Sequence, residues 1–330
     1  MIGVAAGGSP TRIETIEDVD AMSPAMADGL RGDYVQLEPR PFRARWTTIA
    51  TGSGVVQFAT QETAVLRRVA VPADRYACLI PLRISADARW NGHAVHPDDV
   101  VICPPRSTCL AFDPRATQFA IVTVALTDPL ALLLAARSDL TGAEPVTLSC
   151  PSGAGALHAR LERMRDAVER RRGGSGTLNR PAITTYLAFC LAARRSCDRP
   201  AIGTGRRTRV VDRAAAFFRH HVSEGVSVSQ LSDVVGVSER CLRNAFYDVF
   251  TTSPKQYMRL WQLHQVRRVL RRADADASTV TDVATSYGLY ELGRFAGAYK
   301  SLFGEAPSET LVRTSHRKRR LVIASIGGIF

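Results

Sequence analysis

Residues 228–250 read VSQLSDVVGVSERCLRNAFYDVF, and a similar pattern returns at residues 280–303 as VTDVATSYGLYELGRFAGAYKSLF. Before the turn, four positions match at an offset of 52, which pairs Val228, Leu231, Gly236 and Val237 with Val280, Val283, Gly288 and Leu289. After the turn, four positions match at an offset of 53, which pairs Leu242, Phe246, Phe250 and Pro254 with Phe295, Tyr299, Phe303 and Pro307. One residue has therefore been added in the second turn, and the register then holds.

Each copy predicts a helix, a glycine-containing turn and a second helix. Gly236 and Gly288 stand where the first helix ends and a positive φ is needed. Ser238 is placed to cap the helix that follows. The apolar positions face inward and leave one face of the second helix polar, which is typical of a helix-turn-helix whose second helix enters the major groove.

A further helix is predicted between the two copies, from Pro254 at its first turn to about Arg272. At ~1.5 Å per residue, such a helix spans about 27 Å. That length can set two recognition helices near one turn of B-DNA apart, about 34 Å. One monomer can then read two successive major grooves on one face of the duplex.

The distribution of charge points in the same direction. Lys and Arg number 43 against 31 Asp and Glu, for a net charge of +12. Residues 201–330 hold 20 of the basic and 11 of the acidic side chains, a net charge of +9. This asymmetry favours a polyanion as the partner of the C-terminal part, with nucleic acid ahead of an anionic membrane.

The N-terminal part has a strand-like texture from about Tyr34 to Leu126. Short β-branched and aromatic runs alternate with turn formers at near-regular spacing, which predicts a small sandwich or barrel. Asn91-Gly92 is a two-residue hairpin signal. Residues 1–30 show little periodicity and are predicted to be a loosely held, flexible leader.

Two helices are predicted after the strands. Leu157, Leu161, Met164 and Val168 form one apolar stripe at helical spacing, and a second helix follows Pro181. These helices either pack on the β-rich domain or form a dimer interface. Residues 199–207 look like a linker.

The segment GLY at residues 288–290 and the run RFAGAYKSLFGEAPS at residues 294–308 carry a resemblance to a known family. The C-terminal sequence, over about 105 residues, resembles the AraC/XylS transcriptional regulators. The resemblance implies a seven-helix DNA-binding domain and sequence-specific control of transcription. It also implies that the strand-rich region is a cupin-like sensor or dimerisation domain.

The predicted fold class is therefore α+β and multidomain. A cupin-like barrel with C-terminal helices occupies residues 31–198, and an all-α domain of two helix-turn-helix motifs joined by a long helix occupies residues 208–313. Residues 314–330 form a basic tail, whose run Arg317–Arg320 either binds phosphates or is simply solvated.

The polar faces of the two recognition helices supply the predicted DNA contacts. In the first helix, Arg240 and Asn244 are expected to contact bases, because Arg pairs bidentately with guanine and Asn with adenine. Ser238 and Arg243 are expected to contact bases or phosphates. The second helix offers Tyr290, Glu291, Arg294 and Lys300.

Phosphate contact is expected from three arginines of the linking helix, Arg259, Arg267 and Arg268.

Two positions depart from the family pattern. Gly297 stands where an Arg is frequent, which removes a polar contact and weakens the helix by up to ~1 kcal/mol. The second motif is therefore expected to supply mostly backbone contacts. Thr310 stands where an aromatic is usual and suggests a change in packing.

Other classes of site find little support. The seven cysteines form no C-x-x-C pair, so reduced structural thiols and a cytoplasmic location are expected. His93 and His96 lack a following Glu at metal-ligand spacing, and neither a P-loop nor a nucleophile elbow is present. No window is apolar enough for a membrane span. We therefore expect no catalytic residues, metal or cofactor.

The sequence predicts a cytoplasmic transcription regulator that binds promoter DNA through its C-terminal domain. A small-molecule effector, homodimerisation or both are expected to act through the N-terminal domain, and an activator would also contact RNA polymerase. The ligand contacts cannot be named from sequence. Two alternatives stay open: a small-molecule-binding or catalytic cupin with a vestigial basic domain, and a nucleoid-type nonspecific binder.

Overall fold

The computed structural model describes residues 11–50, 54–136, 144–149, 154–170, 204–273 and 278–313. The chain divides into two compact units. The N-terminal unit holds the chain up to Tyr34 and Phe42–Gly205, and the C-terminal unit holds Val35–Pro41 and the chain from Arg206 onwards. The α+β multidomain prediction is confirmed. No helix in the described ranges is long and apolar enough to cross a membrane.

The N-terminal unit contains two antiparallel sheets. The seven-stranded sheet has the order β1-β3-β4-β11-β6-β9-β12, with bounds Thr11–Ile16 (β1), Ala44–Ala50 (β3), Val55–Gln61 (β4), Arg75–Arg83 (β6), Asp99–Cys103 (β9), Thr117–Ala125 (β11) and Val146–Ser149 (β12). The five-stranded sheet has the order β2-β5-β10-β7-β8, with bounds Arg31–Gln36 (β2), Val65–Ala70 (β5), Arg89–Trp90 (β7), His93–Ala94 (β8) and Thr108–Asp113 (β10).

The β-rich architecture is thus confirmed, with one difference from a closed barrel. Among the described strands, the first sheet ends at β1 and β12 and the second at β2 and β8, so each sheet keeps two edges. The sheets enclose a core because their strands alternate inward and outward. Leu79 faces one apolar cluster, whereas its neighbours Cys78 and Ile80 face the other.

The predicted hairpin at Asn91-Gly92 is confirmed. The two residues connect β7 to β8 and have φ values of 51° and 79°. A two-residue turn with both φ values positive matches the right-handed twist of paired strands, and Asn and Gly are the residues that adopt it most readily.

Helices cover part of the first sheet. They are α2 (Pro129–Ala135) and α3 (Ala154–Arg170), after a short α1 (Met22–Ala25). Leu157 and Leu161 of α3 are fully buried in the same cluster as Ile80. The α3 stripe therefore packs on the sheet, as the first of the two alternatives expected. The helix predicted after Pro181 lies outside the described residues.

Residues 11–30 differ from the expected loose leader. Their strand β1 pairs with β3 along its whole length, from Thr11 opposite Ile49 to Ile16 opposite Ala44. Val19 and Met22 are buried in the core that follows. Their isolated spacing gave no periodic signal, although burial of these side chains holds the segment in place.

The C-terminal unit is helical. Its helices are α4 (Thr204–His220), α5 (Val228–Val235), α6 (Glu239–Phe250), α7 (Pro254–Leu270), α8 (Val280–Ser286), α9 (Leu292–Phe303) and α10 (residues 307–313). The two predicted helix-turn-helix motifs are α5–α6 and α8–α9, and the predicted long connector is α7. Seven α-helices are thus present among the described residues of this unit, the number that the family resemblance implies.

The matched apolar positions of the repeat form the cores of the two motifs. Leu231, Leu242 and Phe246 are fully buried in the first. Phe295 and Tyr299 are fully buried in the second, where Leu263 of α7 joins them.

The C-terminal unit also contains a segment from early in the chain. Val35–Pro41, which includes the last two residues of β2, belongs to it, and the backbone N–H of Gln36 donates to Nε2 of His264 at 3.0 Å. Burial of the imidazole lowers the pKa of His264 to about 3. The ring therefore stays neutral, as an acceptor nitrogen must.

Candidate nucleic-acid interface

The first motif is set by three local interactions. Ser227 and Gln230 form a capping box at the start of α5, with the Ser227 N–H 2.7 Å from Gln230 Oε1 and the Gln230 N–H 3.2 Å from Ser227 Oγ. The helix ends at Gly236, whose φ is +69°. Ser238 then caps α6, and its Oγ accepts from the N–H of Cys241 at 3.2 Å. Both predictions, the positive φ and the Ser238 cap, are confirmed.

The solvent-facing side of α6 carries all four residues predicted for the first motif. They are exposed: Ser238, Arg240, Arg243 and Asn244. Arg243 Nη2 lies 3.9 Å from Glu239 Oε2 one turn earlier, a weak surface ion pair. Three further residues of α6 are exposed and were not among the predicted contacts: Glu239, Cys241 and Tyr247. The spacing of Cys241, three residues from both Ser238 and Asn244, would have placed it on this face.

The second motif repeats the design with different residues. Thr279 caps α8, since its Oγ1 accepts from the Asp282 N–H at 3.1 Å. The turn contains Gly288 with φ +74°. Gln262 of α7 donates from Nε2 to the Tyr287 carbonyl at 2.8 Å and so ties this turn to the connecting helix.

The second recognition helix, α9, lacks a side-chain cap. Its N-cap residue, Glu291, makes no capping hydrogen bond to the described backbone. Instead, Glu291 Oε2 lies 2.6 Å from Arg294 Nη1. The residues predicted here are exposed: Tyr290, Glu291, Arg294 and Lys300.

Beside its charged side chains, the exposed face of α9 carries three residues with little or no side chain. Gly293, Ala296 and Gly297 are exposed on it. A Cβ added at Gly293 or Gly297 would meet no described atom within 4 Å. This face offers backbone and small side chains, where α6 offers two arginines and an asparagine.

The three arginines of α7 lie nearer the protein interior than the recognition residues. Arg259, Arg267 and Arg268 are all only partly exposed. Partial burial lowers the pKa of Arg259. Arg267 lies 3.7 Å from Glu305 Oε1, and its guanidinium carbon is 4.7 Å from the Phe303 ring centre. Arg267 thus has an intramolecular role, and phosphate contact by the three stays a prediction.

His93 and His96 were the metal-ligand candidates of the β-rich unit. Burial lowers the pKa of His93, and the His96 backbone N–H donates to Asp99 Oδ2 at 2.8 Å. Within the described ranges, no group of three His, Cys, Asp or Glu residues is placed to hold a metal ion.

Comparison with protein families finds one match in this region. A family model described as a helix-turn-helix domain matches residues 231–313. The matched range begins within α5, runs through α10 and so contains both recognition helices.

Comparison with curated proteins finds regulators of transcription. The XylDLEGF operon transcriptional activator of Pseudomonas putida is 36% identical over 100 residues, which cover 30% of this chain and 31% of that protein. A probable thc operon regulatory protein of Rhodococcus erythropolis is 35% identical over 143 residues, or 40% of this chain and 42% of that protein. The chain therefore matches less than half the length of these relatives.

Comparison with solved structures finds similar proteins. The AraC-like transcriptional activator CuxR is 17% identical with a TM-score of 0.40, over 83% of this chain and 100% of that one. A probable AraC family transcriptional regulator from Rhodopseudomonas palustris is 30% identical with a TM-score of 0.30, over 32% of this chain and 97% of that one.

Proposed function

Since this chain carries a helix-turn-helix domain of the AraC type, we propose that the whole protein is a sequence-specific, DNA-binding regulator of transcription. The observation that carries the proposal is the doubled motif. Two recognition helices, α6 and α9, each bury one apolar face and expose the other. They lie in the segment of residues 201–330 with a net charge of +9, which suits a phosphate backbone.

The two helices have different tasks in this proposal. Arg240 and Asn244 of α6 contact base edges, because both side chains can form bidentate pairs in the major groove. Ser238 and Arg243 contact bases or phosphates beside them. To contact DNA, Arg243 exchanges its partner Glu239 for the nucleic acid, which costs little because the pair is exposed.

The second recognition helix, α9, mostly contacts the DNA backbone. Tyr290, Glu291, Arg294 and Lys300 supply its polar contacts, whereas Gly293 and Gly297 contribute no side chain to them. Arg259, Arg267 and Arg268 contribute to phosphate binding around α7. Sequence is read chiefly by α6, whereas α9 fixes the position of the domain.

The β-rich unit supplies control. It binds an effector, joins two copies into a homodimer, or both. An effector acts by shifting the population between forms that bind DNA and forms that do not, which requires different affinities for the two. RNA polymerase is a further partner where the bound protein activates transcription.

The test is binding to the DNA upstream of the protein's own gene and its neighbours, against scrambled competitor at ~150 mM salt. A preference of about 10³-fold or more is expected. Arg240→Ala is expected to reduce this ratio, because it removes a base contact of about 1–3 kcal/mol. Arg206→Ala, at an exposed arginine of α4, is the matched control.

Arg206→Ala is expected to leave the ratio unchanged, since loss of a charge weakens binding to all sequences alike. Equal affinity for specific and scrambled DNA would overturn sequence-specific regulation and favour nonspecific binding. A ratio that falls equally in both variants would remove Arg240 from base recognition.

A further inference from the structure

A positively charged side chain lies inside the β-rich unit. Arg67 is in the middle of β5, two residues from both Val65 and Val69. Alternate residues of a strand face the same side, so the buried Arg67 side chain points toward the apolar cluster that contains Val65 and Val69. The Arg67 side chain has no exposed surface. Its backbone is opposite Ala111 on β10. An ionised group in such a place requires partners, because burial without them is very costly.

Part of that requirement is met. Arg67 Nε lies 3.4 Å from Oδ2 of Asp113, which is also fully buried. The guanidinium carbon lies 3.9 Å from the Phe119 ring centre and 4.7 Å from that of Trp90. These contacts balance the charge and place the plane of the guanidinium among aromatic rings.

Asp113 has little capacity left for the rest of the guanidinium. Its Oδ1 accepts from Trp90 Nε1 at 3.0 Å, and its Oδ2 accepts from Gln61 Nε2 at 3.4 Å. Arg67 Nη1 and Nη2, the two ends of the fork, are buried and have no hydrogen-bond partner among the described residues. Up to four N–H donors therefore face the interior without an acceptor.

A second donor is left over near the same ring. Trp46 packs edge-on against Phe119, with ring centres 6.1 Å apart. Its Nε1 is also buried without a partner in the described part of the chain. A buried donor without an acceptor costs about 1–3 kcal/mol, and more when it is charged. This interior has a surplus of donors that a bound acceptor would satisfy.

We propose that Arg67 is the recognition group of a binding site for a small organic acid in the β-rich unit. A carboxylate presents two coplanar oxygens, which match the guanidinium fork. The apolar body of the acid would lie against the aromatic side chains of Trp46, Trp90 and Phe119. A dianion such as phosphate fits less well, because beside the neutral Arg67–Asp113 pair it would leave two negative charges in the interior, where a carboxylate leaves one.

The inference that this acid is the effector rests on the proposed function, but the binding site itself can be tested without DNA. Acetate, hexanoate and phenylacetate are added to the full chain up to about 10 mM, each beside its primary amide, and thermal unfolding is followed. At least one acid is expected to raise Tm by about 2–5 °C. The uncharged amides are expected to have much smaller effects.

The variant that tests the residue is Arg67→Met combined with Asp113→Asn. It removes both buried charges together, so no unpaired charge stays in the core, and it leaves a carbonyl to accept from Trp90. Far-UV circular dichroism verifies folding. In the double variant, the Tm shift produced by the acid is expected to be at least tenfold smaller. Arg67→Lys keeps the charge but not the fork, and is expected to weaken the response.

Three results would overturn the site. The amides raise Tm as much as the acids, the folded double variant responds like the parent, or no acid shifts Tm. If the double variant does not fold, an undiminished response of Arg67→Lys overturns the role of the fork. DNA binding is measured separately, so failure of the acid site and failure of the regulator are distinguishable.

Discussion

The Tyr299 hydroxyl lies 2.9 Å from Thr310 Oγ1 in the buried core of the second motif. At the matched positions of the first motif stand Phe246 and Tyr257, whose ring centres are 5.5 Å apart. Tyr299 thus occupies the position of Phe246, and Thr310 occupies the position of Tyr257. Thr310 also donates to Glu305 Oε1 at 2.9 Å. The missing aromatic at Thr310 is therefore replaced by a hydrogen-bond network.

This network predicts a measurable coupling. Tyr299→Phe and Thr310→Val each remove one hydroxyl from a buried pair, and each is expected to lower the free energy of unfolding by about 1 kcal/mol. The double variant is expected to lose about 1 kcal/mol less than the sum. Urea denaturation of the three variants checks this, and strict additivity would mean that the hydroxyls do not interact.

The two turn glycines predict unequal costs for the same substitution. Gly236→Ala meets no described atom within 4 Å, so only the positive φ opposes it, at about 1–2 kcal/mol. At Gly288, an added Cβ would lie 3.3 Å from Gln262 Nε2 and 3.4 Å from the Val222 carbonyl. Gly288→Ala is therefore expected to be the more destabilising change in urea. Equal midpoints would show that the Gln262 contact is of no consequence.

The exposed glycine Gly297 of α9 predicts substitutions that raise stability or strengthen DNA binding. Gly297→Ala is expected to raise the stability of the C-terminal unit by up to ~1 kcal/mol, because the helix interior favours Ala and the site has space. Gly297→Arg is expected to add one phosphate contact and steepen the salt dependence of DNA binding by about one unit. Gly293→Ala is the control without charge. An unchanged salt slope for Gly297→Arg would place this face away from the duplex.

Cys241 provides a reporter on α6, the helix that we propose enters the major groove. It is exposed, whereas Cys78, Cys103 and Cys109 are buried, and burial raises the pKa of Cys78 to about 12. Iodoacetamide is therefore expected to alkylate Cys241 much faster than these three. Operator DNA should slow that reaction at least several-fold, as judged by peptide mass spectrometry with Cys241→Ser as the blank. Unchanged alkylation at saturating operator would argue against α6 in the groove.

His264 predicts a loss of stability in mild acid. Its pKa is about 3 in the folded chain because the ring is buried, against about 6.5 in an unfolded chain. The unfolded chain binds more protons between these values, so the stabilisation is complete above about pH 6.5 and declines toward pH 3. Between pH 7 and pH 5 the loss is about 2 kcal/mol. His264→Gln should flatten this dependence in urea titrations, and an equally steep slope would assign it to other groups.

Local chemistry explains why the doubled motif was predictable. The glycine turns, the Ser238 cap and the buried positions of each copy all lie within about 25 residues, where spacing alone determines which side chains meet. The same holds for the hairpin at Asn91-Gly92, whose positive φ values two residue types favour.

Long-range partners could not be predicted in this way. Gln36 and His264 are 228 residues apart in sequence, and no local pattern relates them. Arg67 and Arg68 are adjacent on β5, and only the strand pairing shows that the Arg67 side chain faces Asp113 in the interior. The packing of residues 11–30 was missed because Ile16, Val19 and Met22 follow neither a helical nor a strand period.

The inclusion of Val35–Pro41 in the C-terminal unit has a consequence for protein engineering. A fragment cut at Arg206 would lose the Gln36 amide that His264 accepts from, and would leave a buried acceptor to be satisfied by water. A chimaera that joins this helical unit to a different N-terminal domain would also need the Val35–Pro41 segment. The helical C-terminal unit of this protein is thus built from two separate segments of the sequence.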